Sequence, residues 1–394
     1  MKILHTFDFF SPHGGGTVDV LYKLSRIQAQ KGHKVTIYTS DFNLDQDYIN
    51  SLPEVKIYPF HCISSAGQFY VTPSLAETVE KNIKNFDIIH MHCFRSFQNI
   101  VILHYAKKYH IPYVLDTHGS LPRKVAGELG FKWLLRWLFD IFFGNRIMSN
   151  ATRVVAQNEF AVRENKRFGL EDGRIVLIPL FFPVEDFVNL PAAGQFRKQY
   201  GIVKKKVIMF IGRINSIKGL DFLVKSFYEL LQYRQDIVLS IVGPDDGYKN
   251  ELENLVCELN LSTSVMFTGF LGGQEKLAAL VDADVVIQPS RYEQAAWAPI
   301  EAVLCGTPVI VSSNSGSGED INRMNAGYLV DYGDKNQMVQ MIQTILDEPE
   351  KVREKVNRAK EYIVNNLRFS DNVKSYERLY QESIQARQKA RREE

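Results

Sequence analysis

An α/β protein built from two doubly wound parallel sheets is what the sequence predicts, and three observations carry that expectation. Strand-like apolar runs alternate with helical patterns from the first residues onward, the signature of repeated βαβ units. The alternation breaks at Phe181-Phe182-Pro183 and Leu190-Pro191-Ala192-Ala193-Gly194, then restarts at Lys206. In both halves, glycine-bearing turns follow strands and precede helices, which is the edge where open parallel sheets receive ligands.

The first half reads as strands at Ile3–Phe7, Lys34–Thr39, Ile88–His92 and Tyr113–Thr117, with a helix from about 17 to 31. The second reads as strands at Lys206–Ile211, Ile237–Val242, Val265–Thr268, Ala283–Gln288, Thr307–Val311 and Gly327–Val330, separated by helical stretches. These assignments give a first domain over 1–183, a second over 184–369, and a charged helix over 370–394. A length of 394 residues allows two to three domains, and 45% hydrophobic content fills two cores.

Four cysteines, Cys62, Cys93, Cys257 and Cys305, show neither paired nor metal-ligand spacing. With no secretory signal pattern at the N-terminus and no run of 18 apolar residues, a cytoplasmic address is expected. The net charge of +2 implies no nucleic-acid partner, yet it is uneven. Residues 1–180 carry 21 basic and 16 acidic side chains, and the remainder 26 and 29. Residues 121–146 hold two Trp, four Phe and five basic residues against two acidic ones. That composition suits either an apolar face dipped into an anionic membrane or a buried helix with a charged rim.

Several residues stand where chemistry is expected. Gly14-Gly15-Gly16 follows the first strand, and Thr17 is placed to cap the helix whose amides favour an anion. His118 follows the strand at Tyr113–Thr117 and can donate to a phosphate or sugar oxygen. His90 and His92 share a strand face, but no third ligand of fitting spacing accompanies them, so a metal is not expected there. Arg213 and Lys218 follow the first strand of the second domain and can bracket a diphosphate. Gly243 and Gly269 close the next two strands and offer backbone groups to a base. Glu293 and Glu301, eight positions apart, flank the start of a helix, so both carboxylates can face one cleft; a helix cap and a solvated acid is the plainer alternative.

With these motifs in place, the chain resembles the family-4 retaining glycosyltransferases of the GT-B fold over nearly its whole length. The glycine-rich loop, His118, the run Gly212-Arg213 to Lys218-Gly219, and the Glu293/Glu301 pair followed by Gly306-Thr307-Pro308-Val309 occur in the family's order. The resemblance implies that Gly15 and Gly16 lie near the donor phosphates and that His118 contacts the donor sugar or its phosphate. It implies that Arg213 and Lys218 stabilise the leaving diphosphate, Glu293 binds donor-sugar hydroxyls, and Glu301 binds the ribose. No metal and no cofactor beyond a nucleotide-diphosphate sugar co-substrate is then required. Residues 121–146 and the basic first half add the expectation of a glycan or lipid-linked acceptor. A sugar-nucleotide epimerase, a phosphorylase and a non-catalytic nucleotide-sugar-binding protein remain as alternatives. The family's Glu-Gly-Phe-Gly is replaced here by Glu293-Gln294-Ala295-Ala296-Trp297. Ala295 and Ala296 resist the positive φ that glycine adopts, so the amides facing the donor change their presentation, and Trp297 is expected to narrow the sugar pocket.

Overall fold

A computed structural model of the chain describes residues 1–66, 69–123 and 132–393. It separates into two compact units: the first holds the described residues up to Leu180 together with those from Ser370 onward, and the second holds Phe181–Phe369.

The first unit contains β1 (Lys2–Phe9), β2 (Lys34–Ser40), β3 (Lys56–Phe60), a small antiparallel hairpin of β4 (Ser64–Ala66) and β5 (Phe69–Val71), then β6 (Ile88–His92), β7 (Tyr113–Asp116), β8 (Arg153–Ala156) and β9 (Ile175–Leu177). Seven of these form a parallel sheet in the order β3-β2-β1-β6-β7-β8-β9. The second unit contains β10 (Lys206–Ile211), β11 (Ile237–Val242), β12 (Val265–Gly269), β13 (Val285–Gln288), β14 (Val309–Ser312) and β15 (Tyr328–Val330), parallel in the order β12-β11-β10-β13-β14-β15. The two doubly wound sheets are thus present. In each, the strand order reverses beside the first strand, between β1 and β6 and between β10 and β13.

Burial explains which strands the sequence reveals. Every residue of β6, β7 and β11 is buried, as in strands covered on both faces, and they are mostly apolar, with His90, His92, Asp116 and Ser240 as the buried polar exceptions. The strands absent from the sequence reading include both edges, β3 and β9. β3 carries Pro59 and leaves Lys56, Tyr58 and Pro59 exposed, while β9 spans three residues, none of them buried.

Helices pack on these sheets through spaced stripes. In the first helix, Gly16–Gln30, the buried Val18, Leu21, Ser25 and Gln28 lie one or two turns apart and face the sheet. Its N-cap is Gly15, with φ +72, so Thr17 lies inside the helix rather than capping it. The C-terminal helix, Phe369–Glu393, buries Val373, Tyr376, Tyr380 and Ser383 at the same kind of spacing. Glu377 on that helix bonds Lys31 and His33, and Tyr380 bonds His90 on β6. The chain's last segment therefore completes the first unit.

One glycine fixes the geometry at the second unit's strand-order reversal. Gly219 has φ +69, and a Cβ there would stand 2.1 Å from the carbonyl oxygen of Pro289, at the end of β13. The approach is sealed by the amide of Arg291 donating to the carbonyl of Ile217 at 2.8 Å. Gly219→Ala is expected to lower stability by about 2–4 kcal/mol, because left-handed strain and a backbone clash add. A urea midpoint matching the parent protein would refute this close packing.

Candidate active site

The reversal between β10 and β13 gathers most of the second unit's expected residues. Lys218 sits in a short 3-10 turn after β10, capped by the side chain of Asn215. Its Nζ lies 2.5 Å from Oε2 of Glu293, on the loop after β13, and each side chain is only 14% exposed. Oε2 also accepts from Gln288 Nε2 at 3.3 Å and from the Ser290 hydroxyl at 3.2 Å. The Glu293 carbonyl accepts from the amide of Gly316 at 2.8 Å. Backbone and carboxylate are thus both held, with three donors on one oxygen and Oε1 on the other side.

Arg213 pairs with Asp246 at 2.7 Å and is 43% exposed. Gly243, at the end of β11, packs so closely on Gly212 that a Cβ would meet its carbonyl oxygen at 1.8 Å, which locks the loop carrying Arg213. The helix after Glu293 runs Trp297–Leu304 with Ala296 as N-cap, so Glu293 lies before the helix and does not cap it. Glu301 is neither solvated nor a cap: it is 7% exposed, and its Oε1 accepts from Lys276 at 2.8 Å. Ala296 is extended at φ −127, and neither it nor Ala295 adopts a positive φ. The Trp297 ring packs against Phe182 at 5.2 Å and Phe369 at 6.5 Å between centroids. Lys276, Asp246, Gln288 and Ser290 escaped the sequence reading because each acts through a partner distant in sequence or through an ordinary polar side chain.

In the first unit, Gly15, Gly16 and His118 all lie beyond carboxyl ends of strands. Gly15 and Gly16 are exposed, and Gly15 faces open space where a side chain would project. His118 adopts φ +44, a conformation that costs a non-glycine residue about 1–3 kcal/mol unless its surroundings enforce it. Asp116 enforces it, accepting from the His118 amide at 3.2 Å and lying 3.3 Å from its Nδ1, while Nε2 lies 3.0 Å from Nδ1 of His92.

His92 opens onto a buried cluster that local spacing does not reveal. Parallel register sets His5 of β1 beside His90 of β6, and alternation puts His92 on the same face. His5 is thus a third imidazole beside His90 and His92, correcting the expectation that none accompanies them; their ligating nitrogens fall within 4.8 Å of one another. Hydrogen bonds occupy these nitrogens. His5 Nδ1 meets His92 Nε2 at 2.9 Å, the Gln28 side-chain amide lies 2.8 Å from His5 Nε2, and His90 Nδ1 meets the Tyr380 hydroxyl at 2.7 Å. Only His90 Nε2 lacks a partner among the described residues. Nearby, burial raises the Asp8 carboxyl to about 8, opposed by the Ser96 hydroxyl, so it is largely protonated at neutral pH. It hides in the apolar run Phe7–Phe10 and was missed from the sequence.

Comparison with known proteins places the chain in a family and a fold. Residues 14–186 match the family described as Glycosyltransferase Family 4, and residues 193–362 match Glycosyl transferases group 1. The chain belongs to these glycosyltransferases. It is 24% identical over 388 residues to the N-acetyl-alpha-D-glucosaminyl L-malate synthase of Bacillus anthracis, covering 94% of each chain. It is 23% identical over 362 residues, 91% of each chain, to the GDP-mannose-dependent alpha-(1-6)-phosphatidylinositol dimannoside mannosyltransferase of Mycobacterium tuberculosis. The fold matches Anabaena HepE, solved in complex with UDP-glucose, with a TM-score of 0.79 at 18% identity over 98% of this chain and 100% of that one.

This glycosyltransferase also carries an unusual surface. Of the composition-biased stretch 121–146, residues 124–131 lie outside the described part; the helix Lys132–Phe139 contains no buried residue. Trp133, Leu135, Trp137, Ile141 and Phe142 are each at least 40% exposed. The one acid described there, Asp140, is fully buried, bound by Arg95 at 2.8 Å and Arg123 at 2.6 Å. Lys132 and Arg146 are exposed. The alternative of an ordinary buried helix is therefore excluded for residues 132–139. Among the described residues no helix is long and apolar enough to cross a membrane.

The buried histidines make stability depend on pH. Burial lowers the His5 pKa to about 4 and depresses those of His90, His92 and His118, although Asp116 pulls the last one back up. Below about 6.5 the unfolded chain therefore takes up protons that the folded one refuses, and each histidine removes up to about 1.4 kcal/mol per pH unit. Asp8 acts in the opposite sense between about 4 and 8, because the folded carboxyl keeps its proton there, but it is one group against four. The urea midpoint of the first unit is expected to fall steadily from pH 6.5 to pH 5, and His90→Phe to flatten that fall. A midpoint that stays level or rises on acidification would contradict the burial of neutral imidazoles.

Proposed function

We propose that this glycosyltransferase moves a hexose or N-acetylhexosamine from a nucleotide-diphosphate sugar to a glycan or lipid-linked acceptor, with retention at the anomeric carbon and without a metal ion. The Lys218–Glu293 pair at the strand-order reversal supports this most directly. Breaking the bond between the anomeric carbon and the phosphate oxygen leaves positive charge on the ring and negative charge on the diphosphate. Lys218 and Arg213 supply fixed positive charge where a divalent ion serves other enzymes, and such preorganised stabilisation is the largest single term in many enzymes. Glu293, with Oε2 held by three donors, keeps Oε1 to accept a sugar hydroxyl beside the developing cation. The acceptor oxygen bonds to the anomeric carbon on the face the diphosphate leaves, and its proton passes to a leaving phosphate oxygen. Glu301, steadied by Lys276, is suited to the ribose hydroxyls.

The exposed apolar helix supports an acceptor at an anionic bilayer, with Trp133, Leu135, Trp137, Ile141 and Phe142 entering the acyl boundary and Lys132 and Arg146 meeting lipid phosphates.

Thermal-shift screening against UDP, GDP, ADP and their sugars should identify a donor through a raised melting temperature. With that donor, Lys218→Ala is expected to lower kcat by about 10²–10³. Glu293→Ala should abolish nucleoside-diphosphate release while the nucleotide still raises the melting temperature; retained turnover in Glu293→Ala would rule out its assigned role. In flotation with phosphatidylglycerol vesicles at low salt, the parent protein should rise with the lipid, and the double variant Leu135→Glu/Phe142→Glu should stay below. Equal behaviour of the two would remove the membrane from this reading.

A further inference from the structure

The histidines of the first unit form one continuous chain, and its ends determine where its protons sit. From Gln28 it runs through His5 and His92 to His118 and Asp116, with successive contacts of 2.8, 2.9, 3.0 and 3.3 Å. A neutral imidazole has one N–H and one bare nitrogen, so each link requires one donor and the whole chain must point one way.

Asp116 sets that direction. Its carboxylate, 1% exposed, already accepts from Gln157 Nε2 at 2.6 Å, from the Tyr376 hydroxyl at 3.3 Å and from the amide of His118 at 3.2 Å. Three donors mark an ionised acceptor, so the fourth neighbour, His118 Nδ1, carries a proton. His118 Nε2 is then bare and accepts from His92 Nδ1–H, and His92 Nε2 accepts from His5 Nδ1–H. His5 Nε2 needs a donor, which Gln28 supplies through its amide nitrogen. In the structure Gln28 Oε1 faces His5, and a half-turn of the amide exchanges the two ends without moving another atom. Gln28 Oε1 then accepts from the Tyr380 hydroxyl, and Tyr380 accepts from His90 Nδ1–H. The one unpartnered ring atom, His90 Nε2, becomes a bare nitrogen instead of a stranded N–H. The opposite direction would either leave a bare Nδ1 lone pair facing the Asp116 carboxylate at 3.3 Å or put a second proton onto His118 in a site where burial disfavours imidazolium.

We propose that Gln28, His5 and His92 are positioning residues that hold His118 as its Nδ1–H tautomer in a left-handed backbone conformation, with Tyr380 of the C-terminal helix as the far anchor. Nε2 of His118 is then committed to His92, while its Nδ1–H faces the Asp116 carboxylate at 3.3 Å as a charge contact. A ligand reaching this histidine meets its backbone carbonyl and ring C–H edges, or must displace one of these two contacts. The functional meaning rests on the reading of His118 as a site residue; the tautomer does not.

The test is a long-range proton–nitrogen correlation on full-length protein labelled with ¹⁵N-histidine at pH 7.5. The parent protein should show His118 with Nδ1 protonated and Nε2 bare; protonation at Nε2, alone or together with Nδ1, overturns the proposal. Gln28→Glu supplies an acceptor-only carboxylate and should move the His118 proton to Nε2, whereas Gln28→Leu should yield a mixture of tautomers. An unchanged His118 spectrum in both variants overturns the chain, and the parent spectrum decides the tautomer even if the variants fold poorly. With a donor from the thermal-shift screen, Gln28→Glu should lower kcat at least tenfold with the donor KM changed less than twofold. A switched tautomer with unchanged kcat would take His118 out of the site and leave the chain standing.

Discussion

A parallel strand must pass its chain to a crossover at its carboxyl end, and where strand order reverses, neighbouring crossovers leave toward opposite faces of the sheet. The gap this opens is a requirement of topology. In the second unit it lies between β10 and β13, and the loops that border it carry Lys218 and Glu293. In the first it lies between β1 and β6, bordered by the glycine loop and by the segment after His92, with His118 one strand further along. Both groups of residues depend on this one property of parallel sheets.

The second unit's cations are balanced internally. Lys218 has Glu293, Arg213 has Asp246 and Lys276 has Glu301. An unpaired charge in a partly dry site would be driven to neutralise or to move, so these carboxylates hold the cations in place. The first unit follows another strategy, with imidazoles kept neutral by burial and joined end to end. The loops after β10 and β13 hold charge in pairs, and the histidine row of the first unit joins neutral rings to a single carboxylate, Asp116.

The sequence reveals the strands that are buried on both faces, since their apolar runs match the sheet they enter; β6, β10 and β11 fall where the pattern puts them. Edge strands such as β3 and β9 are half solvated, and their composition says little. The same division holds in the site. Arg213, Lys218 and Glu293 are legible because they follow strands directly. His5 is not, because its partners are 85 and 87 positions away and meet it only through register. Asp8, enclosed by phenylalanines, and Lys276, facing Glu301 from another helix, are hidden for the same reason.

The C-terminal helix imposes an order on synthesis. Tyr376 and Tyr380 follow the whole second unit in the chain, yet they cover the face of β6 that carries His90. During synthesis the second unit, Phe181–Phe369, has its whole sequence available before the first does, although the first began earlier. The nascent first unit must therefore wait with a polar, histidine-lined sheet face uncovered, and its neutral imidazoles can lose their water only when the helix that follows the second unit arrives.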